Sequence, residues 1–335
     1  MSDRWLLVAN PAARSGEAQD RIPAAERALR DHGLEVELLL TRADRRNVER
    51  VVERLAAGGL VGVVAMGGDG TFHDVGNALV QSGRALPMGV LPAGTGNNQA
   101  RSLGLPLGSL AEGAAVIAGS GRARMDGLRV ESFSPVGTPR PTVWSFDSLG
   151  FGFSARTLLY RFEDKEWLES RPFLRDLYRD QWVYAGAAVR ALAASYVEDH
   201  AFDARITTPE GTTFYEGLHD LIVNNTRYYA QAWVIDPAGR HDDGLAELVV
   251  IRDMDDWAGR ALVTLDGNPL REWAEADVGD EVAHVAWCEI ELFDRPMEPP
   301  IPAQVDGEPV EPCGRVRVDV IQGVLELCVP TTPAG

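Results

Sequence analysis

Along the first third of the chain, short apolar runs alternate with longer stretches in which apolar residues return at helical spacing. Trp5-Leu6-Leu7-Val8-Ala9 is the first run and reads as a strand. Leu34 to Leu40 is a second, ending at Thr41, and the valine-rich run from Leu60 to Met66 is a third, buried in character and bounded by glycines. Leu86 to Leu91 is a fourth. Between them, Ile22, Ala25 and Leu29 share one helical face, with Asp20 as the expected cap, Pro23 in the first turn and Gly33 as the stop. Val48, Val51, Val52 and Leu55 form another such face. Thr71 to Asp74 has the spacing of a capping box, which predicts a helix start there that runs through Val75, Leu79 and Val80. Leu110 to Ala118 is a further helix, and Arg122 to Val130 looks extended. Strands alternating with helices predict a parallel, doubly wound sheet.

The pattern changes near Glu131. Ser132 to Pro141 reads as an exposed loop, and short strands follow: Thr142–Asp147, Phe202–Thr207, Thr212–Glu216, His219–Asn224, Ala246–Ile251, Val285–Phe293 and Val316–Val320. Turn residues between them predict an antiparallel sandwich. A helical insertion from Ala155 to Tyr196 interrupts it and carries Trp167, Phe173, Leu177, Tyr178 and Trp182 on its amphipathic part. The expected fold class is therefore α/β followed by β: a doubly wound parallel domain over residues 1–130 and a β-sandwich domain with a helical insertion over 131–330. The closing residues are allowed to pack back on the first domain, and the tail after Pro330 is expected to be loose.

In doubly wound sheets ligands gather beyond the carboxyl ends of the strands. The loops on that edge are Asn10 to Gly16, Thr41, Gly67 to Thr71 and Pro92 to Asn98, and most are built from Gly, Asn, Ser and Thr. Gly67-Gly68-Asp69-Gly70 joins a strand to a helix. Such a turn presents backbone N–H groups and the positive end of a helix dipole to an anion, and glycine lets a phosphate approach the backbone closely. Asp69 would repel that phosphate unless a cation lay between, so the motif implies a nucleotide phosphate with Mg²⁺.

Charge and composition narrow the classes. The net charge of −18 disfavours nucleic acid as a partner and a polybasic membrane anchor. Lys165 is the only lysine, so a GxxxxGK[ST] phosphate loop is excluded. Cys288, Cys313 and Cys328 form no CxxC and read as small buried hydrophobes in a reducing cytoplasm. No apolar run approaches the roughly 20 residues of a membrane helix. Met1–Trp5 leads straight into a strand, so no leader peptide is expected.

Taken together, Asn10-Pro11 with Ser15-Gly16, Gly67-Gly68-Asp69-Gly70-Thr71, Pro92-Ala93-Gly94-Thr95-Gly96-Asn97, Asp242-Asp243-Gly244-Leu245 and Val305-Asp306-Gly307-Glu308-Pro309 resemble the diacylglycerol kinase catalytic family. Within it they are most similar to the soluble bacterial lipid-kinase branch, akin to sphingosine kinases and more distantly to NAD kinases and phosphofructokinases. The resemblance runs in order from about Leu6 to Pro330. It implies an ATP- and Mg²⁺-dependent kinase that phosphorylates a hydroxyl on a lipid such as diacylglycerol, in a cleft between the two domains. It implies a cytoplasmic protein in transient contact with the membrane at most, and it allows a homodimer.

Residue by residue, the resemblance implies that Asn10, Pro11, Ala12, Ala13 and Arg14 hold ATP, together with Thr41 and the run Gly67, Gly68, Asp69, Gly70, Thr71, Phe72, His73 and Asp74. Gly94, Thr95 and Asn97 complete that set, and Asp126 matches a second acid of the Mg²⁺ water network organised by Asp69. A structural Mg²⁺ would take the Asp243 carboxylate and the carbonyls of Arg240 and Leu245; read without the family, the same residues are an Asp-Gly hairpin turn between Ile235 and Leu248. Glu308 falls at the family's catalytic base, with Asp69 as the alternative base and a polar inter-strand turn as the plain reading.

The chain departs from the family pattern at two points. Relatives usually read Gly-Thr-Thr-Asn-Asp-Phe-Ala where this chain has Gly94-Thr95-Gly96-Asn97-Asn98-Gln99-Ala100, so an expected acid is neutral at Asn98. His73 stands where relatives carry a small or polar residue. The remaining histidines show no metal-ligand spacing. The alternatives are a kinase of a soluble acceptor, as in NAD kinases, and a catalytically weakened nucleotide-binding regulator.

Overall fold

The computed structural model describes residues 4–13, 17–160, 201–229, 233–234, 236, 239–253, 282–294 and 300–331. The chain divides into two compact units, one of Met1–Gly127, His241–Asp243 and Ile321–Gly335, the other of Leu128–Arg240 and Gly244–Val320.

The first unit holds β1 (Arg4–Ala9), α1 (Glu17–Asp31), β2 (Glu35–Leu40), α2 (Asn47–Ala56), β3 (Gly62–Gly67), α3 (Asp69–Ser82), β4 (Met88–Pro92), α4 (Asn98–Ser102) and α5 (Leu110–Ala118). The strands are parallel in the order β2-β1-β3-β4. Their register sets Ala9 beside Leu40 and Met66, and Gly67 beside Pro92. All four carboxyl ends therefore finish level, and the four loops leave from one edge. Leu7, Ala9, Val64, Met66 and Leu91 pack in one core with Ile22, Ala25 and Leu29 of α1 and Ala114 and Ile117 of α5.

Helix α1 starts three residues before the expected cap Asp20, and Pro23 lies inside it rather than in its first turn. Ala18 is buried and continues the stripe of Ile22, Ala25 and Leu29 by one more turn, so the apolar face begins earlier than the cap signal. Helix α3 also starts early. Its N-cap is Gly68, with no side-chain cap, and Thr71 lies buried in the first turn instead of capping it. The reason is local: a Cβ on Gly67 would fall 2.1 Å from Thr71 Oγ1, so the glycine makes room for the threonine inside the turn.

The second unit is a sandwich of two antiparallel sheets, so the α/β-plus-β class holds. Its strands are β5 (Arg122–Phe133, whose first residues belong to the first unit), β6 (Val143–Ser145), β7 (Ser148–Gly152), β8 (Phe202–Thr208), β9 (Gly211–Leu218), β10 (Asp220–Asn224), β11 (Tyr228–Tyr229), β12 (Trp233–Val234), β13 (Ala246–Ile251), β14 (Val282–Val285), β15 (Trp287–Phe293), β16 (Ala303–Val305), β17 (Glu308–Val310) and β18 (Arg315–Cys328, whose residues from Ile321 onward belong to the first unit and pair in parallel with β4). One sheet runs β14-β13-β10-β7-β16-β17; in the other, β9, β8, β15 and β18 are consecutive neighbours. Leu149, Phe151, Leu221, Val223, Leu248 and Val250 of the first meet Ala204, Ile206, Ile290, Val316 and Val318 of the second. Each strand contributes alternate residues, the period a half-buried strand requires.

Three strand expectations change, the first being Val316–Val320, which is only the opening of the longer β18. The single strand Val285–Phe293 is two, because the chain leaves one sheet at Val285 and enters the other at Trp287. Strand β7 carries no aliphatic run to announce it. Its Gly150 is needed because a Cβ there would meet Ser154 Oγ at 2.7 Å and Gln304 Nε2 at 2.9 Å. Residues 153–160 are helical, and the rest of the expected insertion, with its five aromatic and aliphatic landmarks from Trp167 to Trp182, lies outside the described residues. Among the described residues no helix is long and apolar enough to cross a membrane. The cysteines are buried hydrophobes; burial pushes the Cys288 thiol up to about 12 and those of Cys313 and Cys328 up to about 11.

Candidate nucleotide site and acceptor-side carboxylates

The loops of the first unit are tied to one another by main-chain bonds. Asn10 N donates to Met66 O at 2.9 Å, Thr41 N to Ala9 O at 2.9 Å, and Ala93 N to Gly67 O at 2.7 Å, so the ladder continues past the strand ends. Asn10 closes its own turn by accepting from Ala12 N at 3.0 Å. The turn after β3 and the loop after β4 then touch backbone to backbone. A Cβ on Gly94 would lie 2.3 Å from Gly68 Cα, a distance no side chain tolerates.

Asp69 locks this contact. Its Oδ2 accepts from Asn97 N at 2.9 Å, and Asn97 turns its side chain inward, donating to Gly94 O at 2.9 Å and accepting from Gly94 N at 3.0 Å. Asn97 takes φ +57°, a left-handed conformation that asparagine adopts more readily than most residues. Thr71 N and Phe72 N both bond to Gly68 O, and both side chains are buried. An anion at this helix start would therefore meet Gly68 to Gly70 rather than Thr71 or Phe72. Arg14 lies outside the described residues.

Thr41 joins the same assembly through Asn47 at the start of α2. Asn47 Oδ1 accepts from Arg42 N at 2.8 Å, and Nδ2 donates to Asp74 Oδ2 at 3.1 Å. Burial raises the Asp74 carboxyl above the usual aspartate range, against a smaller opposing pull from Asn47. His73 Nε2 lies 3.3 Å from Asn77 Nδ2 within the same helix. Asp126 is buried, accepts from Gly323 N at 2.7 Å and donates its own N–H to His241 O at 2.7 Å, so it holds together the segments that return to the first unit. Thr95 is half-buried and Asn98 buried in the loop after β4. The Gln99 amide is buried with neither polar atom hydrogen-bonded among the described residues, a cost that a phenylalanine there would not incur.

In the second unit Glu308 opens β17 and is exposed. The pairing of Val305 with Glu308 leaves a two-residue turn, with Asp306 at φ +49° and Gly307 at φ +78°. Both central residues lie at positive φ, as a type I′ hairpin demands. Asp306 is the residue that the motif reading passed over: it is buried, and its carboxylate accepts from the loop at Ser145–Ser148. Asp242-Asp243-Gly244 is not the hairpin turn of the plain reading, because β13 pairs with β10 and β14. Arg240, Asp242 and Asp243 are exposed, and Leu245 is half-buried.

A second cluster had no spacing to reveal it. Asp236, Glu247 and His284 bring their ligand atoms within 4.8 Å of one another, and His284 Nε2 lies 2.7 Å from Asp236 Oδ2. Glu247 and His284 are register partners on neighbouring strands, a proximity that only strand pairing creates.

Residues 4–130 match the sequence model of the diacylglycerol kinase catalytic domain. Over 98% of this chain and 95% of the relative, the sequence is 28% identical to a probable YegS-like lipid kinase of Pseudomonas aeruginosa. It is 36% identical to the Escherichia coli K12 lipid kinase YegS, over 30% of this chain and 33% of that one. The fold is similar to that of a putative diacylglycerol kinase from Bacillus anthracis, with TM-score 0.69 and 17% identity over 98% of both chains. It is also similar to yeast NADH kinase, with TM-score 0.55 and 10% identity over 98% of this chain and 84% of that one. The stretch that matches the diacylglycerol kinase catalytic domain model thus spans all four carboxyl-end loops together with Asp69, Asp74 and Asp126.

The raised Asp74 carboxyl has a consequence for stability. A folded-state pKa above the unfolded one means that ionisation costs stability, fully above the folded value and not at all below the unfolded value near ~3.9. Asp74→Asn keeps an acceptor for Asn47 and should raise the melting temperature at pH 7 by roughly 2 °C. The gain should vanish below about pH 4. Thermal melts across that range check this, and a variant that melts below wild type at pH 7 contradicts it.

Proposed function

We propose that the protein is a lipid kinase that transfers the γ-phosphoryl group of ATP, with Mg²⁺, to a hydroxyl of diacylglycerol or a related lipid. The observation that carries this reading is the backbone contact of Gly68 with Gly94, locked by Asp69 on Asn97, in a chain whose residues 4–130 match the diacylglycerol kinase catalytic domain model. A phosphate fits a turn from which side chains are excluded, and a helix start favours its charge. The relatives named lipid kinases support a lipid as the acceptor.

In this reading Gly68 to Gly70, with Asn10 to Arg14, Thr41, Gly94 and Thr95, bind and orient the triphosphate. Asp69 is half-buried and already oriented by Asn97, which suits it to hold a water of a hydrated Mg²⁺. The metal would supply charge neutralisation on the phosphate oxygens. Glu308 accepts the proton of the acceptor hydroxyl; its exposure keeps it reachable. Asp126 holds the returning segments and, by the resemblance, would be the second acid of the Mg²⁺ water network. A second Mg²⁺, structural in role, would take the Asp243 carboxylate with the carbonyls of Arg240 and Leu245. Oxygen donors on exposed residues leave room for the waters this ion keeps. The competing reading, a soluble acceptor, is favoured by the net charge of −18, which repels anionic membranes. The protein acts in the cytoplasm and meets the membrane transiently.

The test is transfer of labelled γ-phosphate to diacylglycerol in mixed micelles. Asp69→Ala should lower turnover at least about 10²-fold and weaken Mg²⁺–ATP binding. Glu308→Gln should keep ATP affinity and lower kcat about 10²-fold or more. Wild-type turnover in Asp69→Ala would refute the phosphate-loop assignment, and wild-type turnover in Glu308→Gln would move the base to Asp69. Label appearing only in soluble polyols or nucleotides would establish the competing acceptor class.

The structural ion has its own readout. Wild type should melt higher with Mg²⁺ than with chelator, by an amount that grows with Mg²⁺ concentration, and Asp243→Ala should abolish that shift. A shift that survives the substitution means the ion is held elsewhere.

A further inference from the structure

We propose that Asp306 is the positioning residue for Glu308, acting through the turn between them; this rests on the reading of Glu308 as the base. Asp306 is 3% exposed. One of its oxygens accepts from Ser145 Oγ at 2.5 Å, Asp147 N at 2.9 Å and Ser148 N at 3.1 Å, and the other from Phe146 N at 3.0 Å. Its own N–H donates to Ser148 O at 2.8 Å. A carboxylate gripped by one hydroxyl and three successive peptide N–H groups is confined to a single rotamer, and the grip reaches the main chain at φ +49°.

The gripping loop is held from its far side. Asp147 Oδ1 accepts from Thr226 Oγ1 at 2.7 Å, and Asp147 O accepts from Asn225 N at 2.8 Å. Gln304 Oε1 accepts from Gly307 N at 2.8 Å, which closes the turn from the other strand. Glu308 is thus an exposed side chain whose backbone is fixed two positions upstream by a buried, fully engaged carboxylate. An exposed acid on an unanchored turn would spread over many positions, and a misplacement of about 1 Å can cost about 10²-fold in rate. A carboxamide at 306 would set an NH₂ group against N–H donors and release the turn.

A double-mutant cycle on the full chain separates positioning from general support of the fold. Asp306→Asn, Glu308→Gln and the pair are assayed with Mg²⁺–ATP and diacylglycerol in mixed micelles. Asp306→Asn should lower kcat about tenfold or more with the ATP KM within about twofold of wild type. In the Glu308→Gln background the same change should cost less than about twofold, because the group it positions is already gone. Multiplying defects, or wild-type kcat in Asp306→Asn, overturn the inference while leaving Glu308 as base. Wild-type kcat in Glu308→Gln overturns the base reading itself. If Asp306→Asn does not fold, Ser145→Ala decides: it removes one donor and should lower kcat about threefold in wild type and not in the Glu308→Gln background. Wild-type kcat in Ser145→Ala, or an equal loss in both backgrounds, then overturns the inference.

Discussion

Gly94 lies so close to Gly68 that it can carry no side chain, and the first unit is arranged to permit that contact. Level strand ends bring the two loops out beside each other. The bond from Ala93 N to Gly67 O carries the ladder to the contact, and Asp69 on Asn97 fixes the loop beyond it. Close backbone approach is useful only if something must sit against bare peptide groups. A triphosphate is such a ligand, because its oxygens take N–H groups directly and its charge matches the start of α3.

The second unit solves a different problem with buried acids. If Glu308 is the base, as proposed, it must be exposed to meet its substrate, yet fixed to act on it. Asp306 reconciles the two by anchoring the turn below Glu308 in a nest of peptide N–H groups, so that no packing around Glu308 itself is required. Buried charge is costly unless fully hydrogen-bonded, and Asp306 meets that condition with donors from one short loop. Asp220 is held in the same manner by Ser154, whose N–H and hydroxyl both donate to it.

Much of the architecture was legible in the residues. The apolar runs placed β1 to β4, though not the end of β18 that pairs in parallel with β4, and Leu110–Ala118 and Ala246–Ile251 agree with the structure at both ends. Local signals failed where a packing partner outside the motif decided the outcome. Thr71 and Asp74 have capping-box spacing, but Gly67 opens a slot for the Thr71 side chain and the helix starts at Asp69. Strand β7 hides its character behind Gly150, which makes room for Gln304 and Ser154. Asp306 reads as an ordinary Asp-Gly turn residue because the hydroxyl that grips it lies 161 positions away. Asp236, Glu247 and His284 meet only through strand pairing and a loop, so no spacing rule could group them.

The central claim is that the glycine contact exists to hold a triphosphate, and Gly94→Ala tests it without touching any charged group. The added methyl would lie 2.3 Å from Gly68 Cα, so the two loops must part; Gly108→Ala, which meets nothing within 4 Å, is the control. Calorimetric titration with Mg²⁺–ATP should show affinity at least about tenfold weaker in Gly94→Ala and unchanged in Gly108→Ala. A folded Gly94→Ala that binds Mg²⁺–ATP as tightly as wild type would contradict the account.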